Sequence, residues 1–204
     1  HVHELLEMLV AHARADLHAD RVGDAAEVFG MRTADMAGAH IEYFRGIRNP
    51  IAVKIGPPIQ PEEVLALCDA LNPANEPGRL TLITRFGLAC VARELPPLVQ
   101  AVQSRERRVL WVCDPMHGNT ETTRTGIKTR RFERILEELE TTFQILADAG
   151  AHPGGVHFEL SGDNVTECLG GDCGLTEADL TRDYRSRVDP RLNSRLSGGS
   201  GLGD

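Results

Sequence analysis

Short apolar runs separated by helical patterns constrain this chain more than any other feature. They are Ile-Ala-Val-Lys-Ile at 51–55, Leu-Thr-Leu-Ile-Thr at 80–84, Val-Leu-Trp-Val-Cys at 109–113 and Val-His-Phe-Glu-Leu at 156–160. Each is rich in β-forming residues and has Gly or Pro nearby, as strands do. Between them, Pro61-Glu62-Glu63 has the proline and acids of a helix start. The clearest helix pattern covers 132–149, where Phe132, Ile135, Leu136, Leu139, Phe143 and Leu146 share one face and Gly150 ends the run. Strand–helix alternation predicts an α/β fold with parallel strands and right-handed crossovers. A closed eight-stranded βα barrel takes about 250 residues, and 204 are present. The expectation is about four parallel βα units, half of a (β/α)8 barrel, with open sheet edges that want a partner.

The flanks read differently. Val2, Leu5, Leu6, Leu9 and Val10 make an apolar helical face, a polar connection follows at 20–24, and a weak strand is expected at 26–31. Residues 196–204 are Gly/Ser-rich, which predicts disorder. The predicted organisation is a mainly helical segment 1–30, a partial barrel domain 31–193 and a tail 194–204.

A net charge of −8 argues against a nucleic-acid-binding surface. No apolar run approaches membrane-spanning length, and the first residues lack a signal-peptide pattern, so the expected location is the cytoplasm with neither nucleic acid nor membrane as partner. Cys68, Cys90, Cys113, Cys168 and Cys173 are scattered, and reduced thiols are expected. Cys168 and Cys173 lack the second close pair that a structural zinc site uses.

The run 109–113 reads as a strand buried on both faces, ended by Asp114-Pro115. His117 therefore sits just past a strand's C-terminal end, where parallel α/β folds collect catalytic and ligand-binding groups. Alone, such a histidine is more often a hydrogen-bonding loop residue than a metal ligand. Lys54 stands inside the apolar run 51–55, where burying an ammonium is costly without an anion.

Further motifs follow one another along the chain: Gly-Ala-His at 38–40, Arg-Asn-Pro at 48–50, Val-Lys-Ile-Gly-Pro at 53–57, Pro-Gly-Arg-Leu-Thr-Leu-Ile-Thr-Arg at 77–85 and Cys-Asp-Pro-Met-His-Gly-Asn-Thr at 113–120. Beyond these come Gly-Ile-Lys-Thr-Arg at 126–130, His-Pro-Gly-Gly-Val-His-Phe-Glu at 152–159, Asn-Val-Thr-Glu-Cys-Leu-Gly-Gly at 164–171 and Asp-Pro-Arg-Leu-Asn at 189–193. Together they resemble the C-terminal half of a type II 3-deoxy-D-arabino-heptulosonate 7-phosphate (DAHP) synthase, the plant and actinobacterial form, over Arg32 to Asn193.

The resemblance implies the C-terminal half of a (β/α)8 TIM barrel. It also implies a metal-dependent condensation of phosphoenolpyruvate with erythrose 4-phosphate, the first step of the shikimate pathway. It assigns the metal to His117, Glu159 and Asp189, and a His with two carboxylates suits Mn²⁺ or Co²⁺. Arg32, Lys54 and Arg85 match positions that bind phosphoenolpyruvate, and Lys128 matches an active-site lysine; Lys54, Lys128 and His117 are the expected catalytic residues. Fixed cations suit a ligand with both phosphate and carboxylate.

The sequence also departs from the family pattern. The family's fourth metal ligand, a cysteine from its N-terminal half, has no counterpart here, and neither does the Lys-Pro-Arg-Ser-type motif that holds the erythrose 4-phosphate phosphate. Met31 stands where the family has glutamate and Val188 where it has cysteine. Cys113 is not expected to replace the fourth ligand. Three readings follow: a synthase completed by self-association, a complementing chain or a longer polypeptide; a truncated non-catalytic homologue; or an interaction partner of a complete synthase. No feedback site for aromatic amino acids is expected in this chain.

Overall fold

Alternation within each strand sorts the side chains into two layers. The computed structural model of the chain describes residues 27–29 and 39–193. Its main sheet contains β1 (Glu27–Phe29), β2 (Ile51–Ile55), β3 (Leu80–Thr84), β4 (Leu110–Cys113) and β7 (Pro153–Val156). All the pairings are parallel, and strand order follows chain order without reversal. Helices lie between the strands: α1 (Ala39–Arg45), α2 (Pro61–Leu71), α3 (Leu88–Ser104) and α4 (Phe132–Asp148).

Ile51, Val53 and Ile55 of β2, Leu80 and Leu82 of β3 and Trp111 of β4 are buried in one cluster with Val64, Leu67 and Leu71 of α2 and Val91, Leu95 and Val99 of α3. Period-two alternation puts Ala52, Lys54 and Ile83 on the opposite face of the sheet. Lys54 is thus held on a strand flanked by buried residues, with only its tip free to reach polar partners.

The strand expected at 156–160 is displaced. The observed strand is Pro153–Val156, and 157–159 form a loop. A Cβ on Gly154 would lie 2.2 Å from Leu110 Cγ, so the Leu110 side chain of β4 fills the space that a side chain on this strand would take. A register shift between Trp111 and Val112 accommodates it. Leu160–Ser161 forms a separate short strand, β8, paired parallel with β9 (Leu192–Asn193). The weak strand expected at 26–31 is present as β1. The remaining expectations for 1–30 and 194–204 lie outside the described residues, as does Arg32.

Backbone hydrogen bonds continue the sheet one step past its strands. Arg85 N–H donates to Ile55 O (2.9 Å), Asp114 N–H to Thr84 O (2.7 Å) and His157 N–H to Cys113 O (2.8 Å). These bonds line up Arg85, Asp114 and His157 along the C-terminal edge of the sheet. Below this edge a second apolar cluster, Met116, Ile135, Cys168 and Leu192, supports the loops. A short antiparallel pair, β5 (Glu121–Thr122) with β6 (Lys128–Thr129), flanks it.

Candidate metal centre

Asp114 begins the loop after β4 and shapes it. Its Oδ1 accepts the N–H groups of Met116 and His117, each at 3.1 Å, which folds 117–119 into a single 3₁₀ turn. The same fully buried carboxylate meets His117 Nδ1 at 2.9 Å through Oδ1 and at 2.7 Å through Oδ2. An ionised carboxylate only accepts, so Nδ1 donates to Asp114 and Nε2 is the nitrogen left facing the other side. Burial alone would raise the Asp114 carboxyl, but the hydrogen bond from His117 and the charges of His117 and Lys54 outweigh it. They hold the group well below the usual carboxylate range.

His117 Nε2 faces Glu159 Oε1 at 3.2 Å. The other Glu159 oxygen accepts from Arg130 Nη1 at 2.6 Å, and the fully buried Arg130 also donates to Thr120 Oγ1 (3.0 Å) and to the Pro190 carbonyl. Asp189 arrives on a loop gathered by another buried acid. Glu167 accepts the N–H groups of Arg185 (3.0 Å), Ser186 (2.7 Å) and Arg191 (2.8 Å), and its Oε1 takes the Arg191 Nη2 (2.8 Å). Burial opposes ionisation of Glu167, and the hydrogen bonds led by Arg191 reverse the balance and lower its pKa. One ligand atom each from His117, Glu159 and Asp189 lie within 4.8 Å of one another. An imidazole nitrogen with its proton held on the far side, together with two carboxylates, is a donor set that fits a divalent cation.

Lys54 borders this group. Its Nζ lies 3.0 Å from Asp114 Oδ2 and 3.2 Å from His157 Nε2. Burial and the Lys54 charge lower the His157 pKa, so the neutral ring accepts from the ammonium. Arg85 is half-buried, and its guanidinium has no hydrogen-bond or ion-pair partner among the described residues. Lys128 sits at the rim, half exposed, with Nζ 3.6 Å from Asp189 Oδ1. The fold therefore gathers His117, Glu159, Asp189, Lys54 and Lys128, and sets Arg85 on the same sheet edge.

A model of the class-II DAHP synthetase family matches residues 12–198, nearly the whole chain. The chain belongs to that family. It is 48% identical over 168 residues to the phospho-2-dehydro-3-deoxyheptonate aldolase AroG of Mycolicibacterium smegmatis, covering 82% of this chain and 36% of that protein. It is 52% identical over 168 residues to the phospho-2-dehydro-3-deoxyheptonate aldolase of Neurospora crassa, covering 81% of this chain and 35% of that one. The chain thus spans about a third of the length of these curated relatives.

Within this class-II DAHP synthetase chain, Cys113 does not face the metal group. Its buried thiol donates to Thr142 Oγ1 of α4 at 3.5 Å, and burial pushes its pKa far up. Cys168 is buried and donates to the Arg191 carbonyl at 3.4 Å, while Cys173 is exposed; all five cysteines are free. Sequence reasoning missed Asp114, His157, Arg130 and Glu167. Only Asp114 carried a signal, as the Asp-Pro turn that ends the strand; the partner of His157 is Lys54, from another strand.

Proposed function

We propose that this chain supplies the metal-binding and phosphoenolpyruvate-binding side of a 3-deoxy-7-phosphoheptulonate synthase. That enzyme joins phosphoenolpyruvate to erythrose 4-phosphate at the entry to the shikimate pathway. The observation that carries the reading is the His117, Glu159 and Asp189 group beside Lys54, in a chain of this family. The parallel sheet is then the C-terminal half of a (β/α)8 barrel, with the working residues at the strands' C-terminal ends. The reaction belongs to the cytoplasm.

His117, Glu159 and Asp189 would hold Mn²⁺ or Co²⁺. Such an ion supplies Lewis-acid polarisation of the sugar aldehyde oxygen. Lys54 presents an ammonium whose direction is fixed by Asp114 and His157, so it meets an anion without first losing side-chain freedom. Arg85, half-buried, offers the planar donor fork that phosphate and carboxylate accept. Arg32 would add a third cation, and Lys128 stands at the rim where the second substrate enters.

The fourth ligand and the erythrose 4-phosphate phosphate motif would come from the remaining two-thirds of the family's chain, as a complementing chain or as a longer polypeptide. A second reading is a non-catalytic homologue or a partner of a complete synthase. Consumption of phosphoenolpyruvate in the presence of erythrose 4-phosphate and Mn²⁺ separates the two, with a chelated control and a His117→Ala variant. Mn²⁺ binding that disappears in His117→Ala is the expected result, with metal-dependent turnover once the remaining two-thirds of the family's chain is supplied. A folded chain that neither consumes phosphoenolpyruvate nor binds Mn²⁺ through His117 sinks the first reading.

A further inference from the structure

The family motifs pass over one fully buried acid. Glu138 lies on the inner face of α4 beside Ile135, Leu139 and Thr142. Its Oε1 accepts the N–H groups of Phe86 (3.1 Å) and Gly87 (2.8 Å), the two residues after Arg85. Its Oε2 accepts the side-chain amide of Asn119 at 2.6 Å. Asn119 ends the turn that begins with His117, and its own oxygen accepts Leu88 N–H at 3.0 Å while its nitrogen donates to Pro115 O at 2.8 Å. The two loops also touch directly. A Cβ on Gly118 would lie 2.3 Å from Gly87 N, and a Cβ on Gly87 would lie 2.5 Å from Gly118 O.

We infer that Glu138 is a positioning residue that fastens the Arg85 loop to the His117 loop, so that the phosphate-facing cation and the metal-facing imidazole move as one unit. This rests on the proposed function for the purpose of the coupling, though the coupling itself is a property of the two loops. The carboxylate suits the task because its partners are three N–H donors and it needs no acceptor of its own. No other acid among the described residues hydrogen-bonds to both loops. Burial, reinforced by the Asp114 charge, pushes the Glu138 carboxyl up to about 7 against the pull of those donors, so ionising it costs the fold.

Glu138→Gln keeps the shape but turns an N–H₂ toward one of the donors. Hydrogen exchange of the full chain reads the result, at the amides of Met116 and His117. Glu138 does not touch these amides; their acceptor is Asp114. Faster exchange there, with β2, β3 and β4 protected as in wild type, and a Mn²⁺ affinity lowered about tenfold, is the expected outcome. Wild-type exchange at Met116 and His117 in the folded variant overturns the inference. Should Glu138→Gln lose the sheet's protection, Asn119→Ala, which removes the Glu138 contact on the His117 side together with the Asn119 bonds to Leu88 and Pro115, decides by the same two amides. A wild-type chain whose Mn²⁺ binding is absent, or indifferent to His117→Ala, rejects the metal reading instead, and exchange still decides the link between loops.

Discussion

An imidazole binds a cation well only when its other nitrogen is held to a proton, and for His117 that hold is Asp114. Replacing it by Asn removes the charge while leaving the shape, and an amide can meet Nδ1 with either its oxygen or its nitrogen. Asp114→Asn should therefore weaken Mn²⁺ binding about 10- to 100-fold, read by paramagnetic resonance of free Mn²⁺ during titration. Unchanged affinity would mean that His117 is oriented by its backbone alone. His117, Glu159 and Asp189, which the fold brings together, were legible in the sequence because they sit in motifs with a family meaning. Asp114 was legible only as the turn signal in Asp-Pro, since a residue that acts through another leaves no pattern of its own. Arg130 and Glu167 were hidden for the same reason: their partners Glu159, Arg185 and Arg191 become neighbours only through folding.

At the scale of elements, the junctions between strand and helix carry the site, and the tightest is Gly87 against Gly118. A methyl group at 118 would meet backbone at 2.3 Å, and backbone has no rotamer through which to yield. Gly118→Ala should cost about 2 kcal/mol of stability and lower Mn²⁺ affinity, because the displaced turn begins with His117. Urea unfolding and the same Mn²⁺ titration check it; wild-type values in both would mean the loops part freely. The elements themselves were largely readable. Ile51–Ile55 and Leu80–Thr84 match their apolar runs, and α4 follows its helical stripe to Asp148 before Gly150, at φ +62°, turns the chain. Glu138 and Thr142 are buried on that stripe as well, and hydrophobic periodicity could not reveal polar residues whose partners come from other elements. Strand β7 lies outside its apolar run because Pro153-Gly-Gly-Val156 offers two residues without side chains, and the Leu110 side chain of β4 fills the space beside Gly154.

For the whole molecule, buried charges of opposing tendency set how stability responds to pH. Asp114 and Glu167 have lowered pKa values, so their stabilisation is present above the ordinary carboxylate range and is lost as pH falls. Glu138 does the reverse. Its folded pKa of about 7 lies above the unfolded value of 4.5, so between those values the native state binds more protons than the unfolded chain. Stability then falls as pH rises through that window, by on the order of 3 kcal/mol in total. His157, whose pKa is lowered by burial and by Lys54, opposes this trend below the ordinary histidine range, so the wild-type profile alone mixes the two. The difference between wild type and Glu138→Gln isolates Glu138. In chelator, with urea midpoints taken at pH 5, 6, 7 and 8, the variant should gain on the wild type as pH rises through the Glu138 window and level off above it. A constant difference across the series would mean that Glu138 titrates normally and that its ionisation costs the fold nothing. A gain in stability at pH 8 combined with weaker Mn²⁺ binding would instead show that the molecule keeps a destabilising carboxylate because its two loops need one.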